Sequence, residues 1–210
     1  MTITDVASIR VLSADDHTIV RTGLQMLLQL KMGVSEFVEA SSCGELINAI
    51  RQHRPTHLII DMIFKDGNSL EILPAVVQLF PQLNIMGYSM LPADVYEPVL
   101  HKLGVQYYLH KGSSQEQIEA TLARFLFEPA PQRVAHPVSV SQANPFSQLS
   151  QRELEVLHYL LKGETIGQIA TSLNLHKNTV STLKARIFEK VDVLSYKDLL
   201  EKAAVHQITF

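Results

Sequence analysis

Hydrophobic positions in the first 125 residues follow two alternating patterns. Short apolar runs, rich in β-branched residues, occur at 9–14, 37–40, 57–61, 84–89 and 106–110, and stretches with apolar residues three and four positions apart separate them. The first pattern is typical of buried strands and the second of amphipathic helices. Strands that alternate with helices predict an α/β fold, in which helices cover a five-stranded, doubly wound parallel sheet.

The pattern changes twice after residue 126. Residues 127–146 hold four of the nine prolines and show neither period, and proline at that density prevents regular structure. From residue 147 onward, apolar positions recur only at three and four. Ser150 and Glu153 are spaced as a capping box before the first helix of this block, and Gly163 is placed to end it. We therefore predict a first domain at 1–126, a linker at 127–146 and an all-α domain of four helices at 147–210.

Composition and charge narrow the classes of protein. The chain has 210 residues, of which 46% are hydrophobic and 19% charged, as in an ordinary globular protein of one or two domains. A single cysteine, Cys43, excludes an internal disulfide and favours the cytoplasm. No run of eighteen apolar residues predicts a membrane span, and the first residues do not resemble an export signal.

Charge is divided unevenly along the chain, whose net charge is −3. Residues 147–210 carry eight Lys or Arg against seven Asp or Glu, whereas residues 1–130 carry nine against fourteen. Any binding of nucleic acid therefore has to come from a local basic patch in the second domain.

Five polar side chains lie at the carboxyl ends of the predicted strands. They are Asp15 and Asp16 after the first strand, Asp61 at the end of the third, Ser89 at the end of the fourth and Lys111 after the fifth. Because ligands bind at this edge of a parallel sheet, we expect the five to converge. Adjacent carboxylates repel unless a cation lies between them, and three carboxylates suit Mg²⁺.

This constellation is suited to phosphoryl transfer. Aspartate can accept a phosphoryl group, and Asp61 is the best acceptor because it ends the central strand. The Lys111 ammonium and the Ser89 hydroxyl would stabilise the transferred oxygens. Taken singly, Asp15 or Asp16 could be a helix N-cap and Lys111 a surface lysine. The coincidence of five such residues at one edge favours the site.

The segments ADDHTIVRTGL, IIDMIFKDGNSLEIL, IMGYSM and GVQYYLHKGSS resemble the motifs of response-regulator receiver domains, which have a flavodoxin-like fold, over about residues 9–125. The resemblance implies that a sensor histidine kinase phosphorylates Asp61 and that Ser89 and Lys111 contact the phosphoryl group. The implied ligands of Mg²⁺ are Asp15, Asp16, Asp61 and the backbone carbonyl of Ile63. Tyr108 is the implied switch aromatic, although its ring could equally pack against the sheet edge.

Three residues depart from the receiver pattern. Lys65 replaces a usual proline, Ser69 replaces a usual glycine, and Tyr107 stands where a small residue normally precedes the switch aromatic. They predict an unusual shape for the loop after Asp61. His17 is assigned to the start of the first helix and not to the metal, because Mg²⁺ has little affinity for imidazole.

The segment ETIGQIATSLNLHKNTVSTLKARIFEKV has the size and pattern of a helix-turn-helix, with the turn at 174–177. On its second helix the apolar residues share one side, and the opposite side is small and polar. Small side chains let a helix enter the major groove, while flanking Lys and Arg reach phosphates. The alternative is a four-helix bundle whose polar face meets only water. DNA binding is the favoured alternative, because one helix carries four basic residues: Lys177, Lys184, Arg186 and Lys190.

This block resembles the LuxR-type helix-turn-helix domain over nearly all of residues 147–208. The resemblance implies that Ser181, Thr182 and Ala185 face the bases and that Lys177, Lys184 and Arg186 face the DNA backbone. Asn178 and Thr179 open the same helix and complete the predicted contact set. The last helix could supply a dimer contact through Leu199, Leu200 and Ala203, which could equally be core residues.

Together, the two resemblances predict a NarL/FixJ-class response regulator: a transcription factor, not an enzyme, whose binding to double-stranded DNA is controlled by phosphorylation of Asp61. A homodimer on DNA is expected, and RNA polymerase is a further candidate partner. One alternative is a receiver that serves only for dimerisation or partner binding, without a switch. A Mg²⁺-dependent phosphohydrolase would need a second acid two residues after Asp61, where Ile63 stands.

Overall fold

The computed structural model describes residues 6–128 and 144–208. They form two compact units, of which the first contains a parallel sheet and the second contains the four carboxyl-terminal helices. Within the described residues, no helix combines the length and the apolar character needed to cross a lipid bilayer.

Five parallel strands form the sheet of the first unit, as the sequence predicted. They are β1 (Arg10–Ala14), β2 (Glu36–Ala40), β3 (His57–Ile60), β6 (Asn84–Ser89) and β7 (Tyr107–His110), in the order β2-β1-β3-β6-β7. The chain reverses direction across the sheet after β2, because β2 lies on one side of β1 and all later strands lie on the other. The carboxyl ends of β1 and β3 therefore flank the switch point, where parallel sheets bind ligands.

Five helices connect these strands and continue past the last one, which confirms the predicted alternation. They are α1 (Thr18–Met32), α2 (Cys43–His53), α3 (Ser69–Leu79), α4 (Ala93–Lys102) and α5 (Gln115–Phe127). Leu24 and Leu28, one helical turn apart on α1, pack with Phe125 of α5 in a single core cluster against the sheet. Burial of such side chains contributes about 1.5–3 kcal/mol each and holds α1 against the sheet.

The loop after Asp61 is a short antiparallel hairpin that the sequence did not predict. Its strands are β4 (Ile63–Phe64) and β5 (Gly67–Asn68), with Lys65 and Asp66 at the turn. Asp66 accepts hydrogen bonds of 3.1 Å from the amides of Cys43 and Gly44 at the start of α2. This pairing of Asp66 with a helix N-terminus holds the hairpin beside the sheet edge.

The second unit is all-helical, as predicted. A 3₁₀ helix (Pro145–Gln148) precedes α6 (Gln151–Leu161), α7 (Ile166–Ser172), α8 (Lys177–Lys190) and α9 (Tyr196–Val205). The predicted capping box is present, because the Ser150 hydroxyl accepts from the Glu153 amide and the Glu153 carboxylate accepts from the Ser150 amide. Gly163 follows α6 with φ 82°, a left-handed conformation that glycine adopts without strain.

Most of the predicted linker, residues 129–143, lies outside the described residues. At its two ends the prediction of irregular structure is wrong. Helix α5 includes Phe127, and the 3₁₀ helix includes Pro145 and Phe146. The physical reason is local packing, since Phe146 is fully buried and its amide donates to the Asn144 side chain.

Candidate metal centre and nucleic-acid interface

Three aspartates meet at the carboxyl edge of the sheet. Asp15 and Asp16 follow β1, and Asp61 follows β3, so that one carboxylate oxygen from each lies within 4.8 Å of the others. Asp15 and Asp61 are buried, with 2% and 5% of their surface exposed. The predicted convergence of the three carboxylates is therefore present in the fold, in a site largely shielded from water.

Lys111 connects two of these carboxylates. It follows β7, and its amide donates to the carbonyl of Ser89 at the end of β6. Its ammonium lies 2.6 Å from Asp15 Oδ2 and 2.6 Å from Asp61 Oδ2. Four of the five predicted residues, Asp15, Asp61, Ser89 and Lys111, thus lie at the ends of neighbouring strands, and the two carboxylates share the Lys111 ammonium.

The electrostatics of the cluster show an excess of negative charge. Burial raises the pKa of Asp61, and the nearby Asp15 acts in the same direction, although Lys111 and a hydrogen bond from Ser89 oppose the rise. Burial alone would lower the pKa of Lys111, but its bonds and charge interactions with Asp61 and Asp15 outweigh burial and raise that pKa. One ammonium therefore stays protonated among three carboxylates and cannot neutralise them all.

Asp61 is oriented by the start of the loop that follows it. The amides of Met62 and Ile63 donate to Asp61 Oδ1 at 2.6 and 3.4 Å. The hydroxyl of Ser69, at the start of α3, donates to the backbone carbonyl of Asp61. Ser69, one of the departures from the receiver pattern, is thus fully buried and positions the central aspartate.

Asp16 has two further close neighbours, His17 and Lys65, that sequence reasoning missed. His17 is the N-cap residue of α1, as predicted, but its Nδ1 also lies 2.7 Å from Asp16 Oδ1 and 3.2 Å from Asp15 Oδ1. The Lys65 ammonium at the hairpin turn lies 3.8 Å from Asp16 Oδ2. The unusual residue at position 65 therefore places a largely exposed positive charge at the rim of the acidic cluster.

Arg21 is a second residue that the sequence analysis did not select. It lies on the buried side of α1, and its guanidinium donates at 2.6 Å both to the carbonyl of Asp15 and to the carboxylate of Glu39 at the end of β2. Arg21 therefore fixes the backbone between the two amino-terminal aspartates. An arginine one turn into a predicted amphipathic helix, on its apolar side, was the available signal.

The donor set fits a magnesium ion. The oxygens of Asp15, Asp16 and Asp61 are hard ligands within 4.8 Å of one another, as Mg²⁺ prefers. Asp16 Oδ1 is buried and accepts no hydrogen bond from the described residues, although the His17 ring lies beside it. A buried carboxylate oxygen that accepts no hydrogen bond is available as a ligand for a cation.

Tyr108 lies on the edge strand β7, on the face opposite the core cluster that contains Tyr107. Its ring packs closely on β6 at Gly87, where an added Cβ would come within 3.0 Å of the ring. His110, on the same side of β7, joins the strand ends through bonds to the Met90 carbonyl and the Gly112 amide. Because Gly87 has no side chain, the Tyr108 ring fills the space above it. Gly87 lies two residues before Ser89 on β6, and Tyr108 lies on the neighbouring strand β7.

In the second unit, α8 has the two sides that the sequence predicted. Val180, Ile187 and Val191 are buried. The opposite side is exposed at Lys177, Asn178, Thr179, Ser181, Thr182, Ala185 and Arg186, while Lys184 is half-buried with its ammonium 5.3 Å from the Phe188 ring. This face of α8 therefore takes no part in the core of the second unit.

Two other sequence inferences about this unit change. The Lys190 ammonium lies 2.6 Å from Glu153 and 3.3 Å from the carbonyl of Gln148, so it stabilises α6 and does not extend the basic face. On α9, Leu199 and Ala203 are buried core residues, whereas 39% of Leu200 is exposed.

Family comparisons cover both units. The model described as response regulator receiver domain matches residues 11–123, and the model described as bacterial regulatory proteins, luxR family, matches residues 147–203. The oxygen regulatory protein NreC of Staphylococcus haemolyticus is 29% identical over 209 residues, which cover 92% of this chain and 96% of NreC.

Solved structures show the same architecture. RcsB from Salmonella enterica serovar Typhimurium, bound to promoter rprA in the presence of phosphomimetic BeF₃⁻, is 24% identical with a TM-score of 0.80, over 94% of this chain and 98% of that one. A structure of two RcsB dimers bound to two parallel DNAs is 25% identical with a TM-score of 0.75, over 93% and 98% of the two chains.

Proposed function

This chain belongs to the response regulators that join a receiver domain to a LuxR-type DNA-binding domain, and from this premise we propose that phosphorylation of Asp61 controls its binding to DNA. The observation that carries the proposal is the single ammonium of Lys111, 2.6 Å from both Asp15 and Asp61. The cluster has more carboxylates than this one ammonium can neutralise, so it can bind a metal ion, and Lys111 can pair with the oxygens of a phosphoryl group.

In the proposed reaction, a carboxylate oxygen of Asp61 forms a bond to the phosphorus of a phosphohistidine on a sensor kinase. The P–N bond breaks, and the leaving imidazole nitrogen keeps the electron pair and takes up a proton from solvent. Lys111 moves its donors from the free carboxylate to the transferred oxygens, and the Ser89 hydroxyl donates to another of them. Mg²⁺, held by Asp15, Asp16, Asp61 and the Ile63 carbonyl, would supply positive charge to the same oxygens.

The proposed signal passes from Ser89 to Tyr108. When the Ser89 hydroxyl turns toward a phosphoryl oxygen, the end of β6 moves and the Tyr108 ring changes its packing on Gly87. Ser89 and Tyr108 lie on the neighbouring strands β6 and β7, two register positions apart, because Gly87 pairs with Tyr108 and Ser89 pairs with His110. Two arrangements of this pair would bias contacts with a second copy of the chain or with the second domain.

DNA binding is proposed for the exposed face of α8. Ser181, Thr182 and Ala185 would meet base edges, and Lys177, Lys184 and Arg186 would contact phosphates. Asn178 and Thr179 begin the same face. One such helix covers few base pairs, so a homodimer is proposed, in keeping with the RcsB dimers on DNA. The domain limits that go with this proposal are 1–126 and 147–210, with the linker at 127–146.

The remaining partners follow from this role. A sensor histidine kinase supplies the phosphoryl group, and RNA polymerase is a candidate partner at a promoter. Both are proposals, as is the cytoplasm as the place where they meet the chain. The proposed role is regulation and not turnover of a substrate.

The proposal is tested by treating the wild type and Asp61→Asn with acetyl phosphate, with and without Mg²⁺, and mapping the modified residue by mass spectrometry. We expect one phosphoryl group on Asp61 of the wild type, dependent on Mg²⁺, and none on the variant. A wild type that stays unmodified while it still binds DNA would instead support the alternative, in which the receiver only mediates dimerisation or partner binding. The Lys65 charge beside Asp16 is the feature that favours that alternative.

A further inference from the structure

A cavity of about 570 Å³ lies at the edge of the sheet opposite Asp61. It is formed where β1 begins, before β3 and β6 begin, and where α2 and α3 end. Ile50 and Leu83 are buried, and with the half-buried Phe80 they contribute apolar surface to it. A cavity of this volume is within the range that binds a small organic molecule.

Three arginines line the same cavity. They are Arg10 at the start of β1, Arg51 near the end of α2 and Arg54, which follows α2. The Arg10 Nε donates to the carbonyl of Arg54 at 2.9 Å, which orients its guanidinium and leaves its terminal nitrogens available. No carboxylate is among the lining residues, and within the described part of the chain no ion pair involves any of the three.

The helix dipole accounts for only part of this arrangement. The dipole of a helix stabilises cations near its carboxyl end, which explains arginines at positions 51 and 54. Arg10, the first residue of β1, reaches the same end of the helix from the sheet, because its Nε donates to the carbonyl of Arg54, the C-cap residue of α2. The dipole gives each arginine a reason to lie here, but three like charges beside one apolar surface still repel one another, and a bound anion would relieve that repulsion.

We propose that this cavity binds a small organic anion, in which an apolar body contacts Ile50, Phe80 and Leu83 and a carboxylate or phosphate group pairs with the arginines. Guanidinium groups bind both anions through paired hydrogen bonds, so both are members of one ligand class. The site is separate from the phosphorylation site, because its residues come from the amino ends of the strands.

The test uses four probes and titration calorimetry on the full chain: naphthoate and naphthyl phosphate as aromatic anions, naphthalene methanol as the neutral analogue, and inorganic phosphate as the anion without an apolar body. We expect at least one aromatic anion to bind at one site per chain, at least tenfold more tightly than the neutral analogue and than inorganic phosphate. Methyl NMR should place that probe at Ile50 and Leu83.

The double variant Arg51→Gln with Arg54→Asn should weaken binding at least tenfold, and asparagine tolerates the φ of 46° at position 54. Arg124→Gln, an exposed arginine on α5, is the matched control and should bind as the wild type does. Asp61→Asn should also bind normally, which distinguishes this site from the phosphorylation site. Equal binding to the double variant, equal binding of the neutral analogue, or no binding of either aromatic anion would overturn the proposal.

Discussion

Lys111 and Asp61, fifty residues apart in the chain, lie with ammonium and carboxylate oxygen at 2.6 Å. The same ammonium is equally close to Asp15, and only about 10% of the Lys111 side chain is exposed. This contact ties the end of β7 to the ends of β3 and β1. It stabilises the acidic cluster, and the cluster keeps two negative charges that one lysine cannot balance.

Replacing Lys111 with Met should destabilise the protein at neutral pH. Removal of one partner from a buried ion pair leaves unpaired charge and typically costs about 3 kcal/mol. Urea unfolding followed by circular dichroism measures this loss, and millimolar Mg²⁺ should restore part of it by binding the folded state. The matched control is Lys31→Met, whose exposed ammonium lies 4.0 Å from Glu119 and should contribute less than about 1 kcal/mol. Equal stability of the two variants would contradict this reading.

Lys65→Met should raise the affinity for Mg²⁺. The Lys65 ammonium is 3.8 Å from Asp16 and competes with a cation for that carboxylate, but 80% of its side chain is exposed and salt screens the interaction. We expect the dissociation constant for Mg²⁺ to fall about twofold to fivefold at low salt, with a smaller change at high salt. Calorimetric titration measures it, with Lys102→Met as an exposed control. Weaker Mg²⁺ binding by the variant would show that Lys65 supports the ion and does not compete with it.

His57 should make the first unit sensitive to acid. Burial lowers the pKa of His57 to about 4, although a bond to the backbone of Phe125 opposes the shift. Because the folded pKa is below the unfolded value of 6.5, the unfolded chain binds more protons, and stability falls as pH drops from 6.5 toward 4. This difference predicts a loss of about 2 kcal/mol between pH 7 and pH 5.

The matching measurement is urea unfolding of His57→Leu at both pH values, with the exposed His53→Leu as control. The His57 variant should lose most of the extra pH dependence, whatever its stability at pH 7. A pH dependence identical to that of the wild type would mean that other groups cause the acid sensitivity.

Lys177→Ala should weaken DNA binding without loss of stability. Lys177 is exposed at the first position of α8, where a positive charge is unfavourable to the helix dipole. If it contacts a phosphate, its loss should lower affinity about threefold to tenfold and reduce the salt slope of log affinity by about 1. Lys197→Ala is the control, since this lysine is also in the first turn of a helix, α9, and 84% exposed. An equal loss of DNA affinity in both variants would show that the effect comes from the net charge of the domain and not from a phosphate contact at α8.

The alternating pattern was sufficient to predict which strand ends carry the site. Asp15, Asp61 and Lys111 follow apolar runs, and the rule that parallel strands present their carboxyl ends together brought them to one place. The helix boundaries of the second unit were equally accessible, because capping residues such as Ser150 and left-handed glycines such as Gly163 mark them locally.

Features that depend on side-chain packing were not predictable. The hairpin after Asp61 has Lys65 and Asp66 at its turn, without the Asn-Gly or Gly-Gly pair that signals a tight turn. Its position depends on a contact between Asp66 and α2 that is distant in sequence. The pairing of Lys190 with Glu153 requires α6 to pack on α8, and no local pattern encodes it. His17 was correctly placed at the start of α1. The contact of its ring with Asp16 depends on the side-chain rotamer, which the sequence pattern does not specify.

The central claim is that phosphate on Asp61 is sensed at the DNA-binding face. Its most direct test compares the DNA affinity of the wild type and Asp61→Asn, each with and without acetyl phosphate, on a DNA fragment selected by the wild type and at one stated salt concentration. We expect the phosphodonor to change the dissociation constant of the wild type at least tenfold and to leave that of Asp61→Asn unchanged. Equal responses of the two proteins would contradict it.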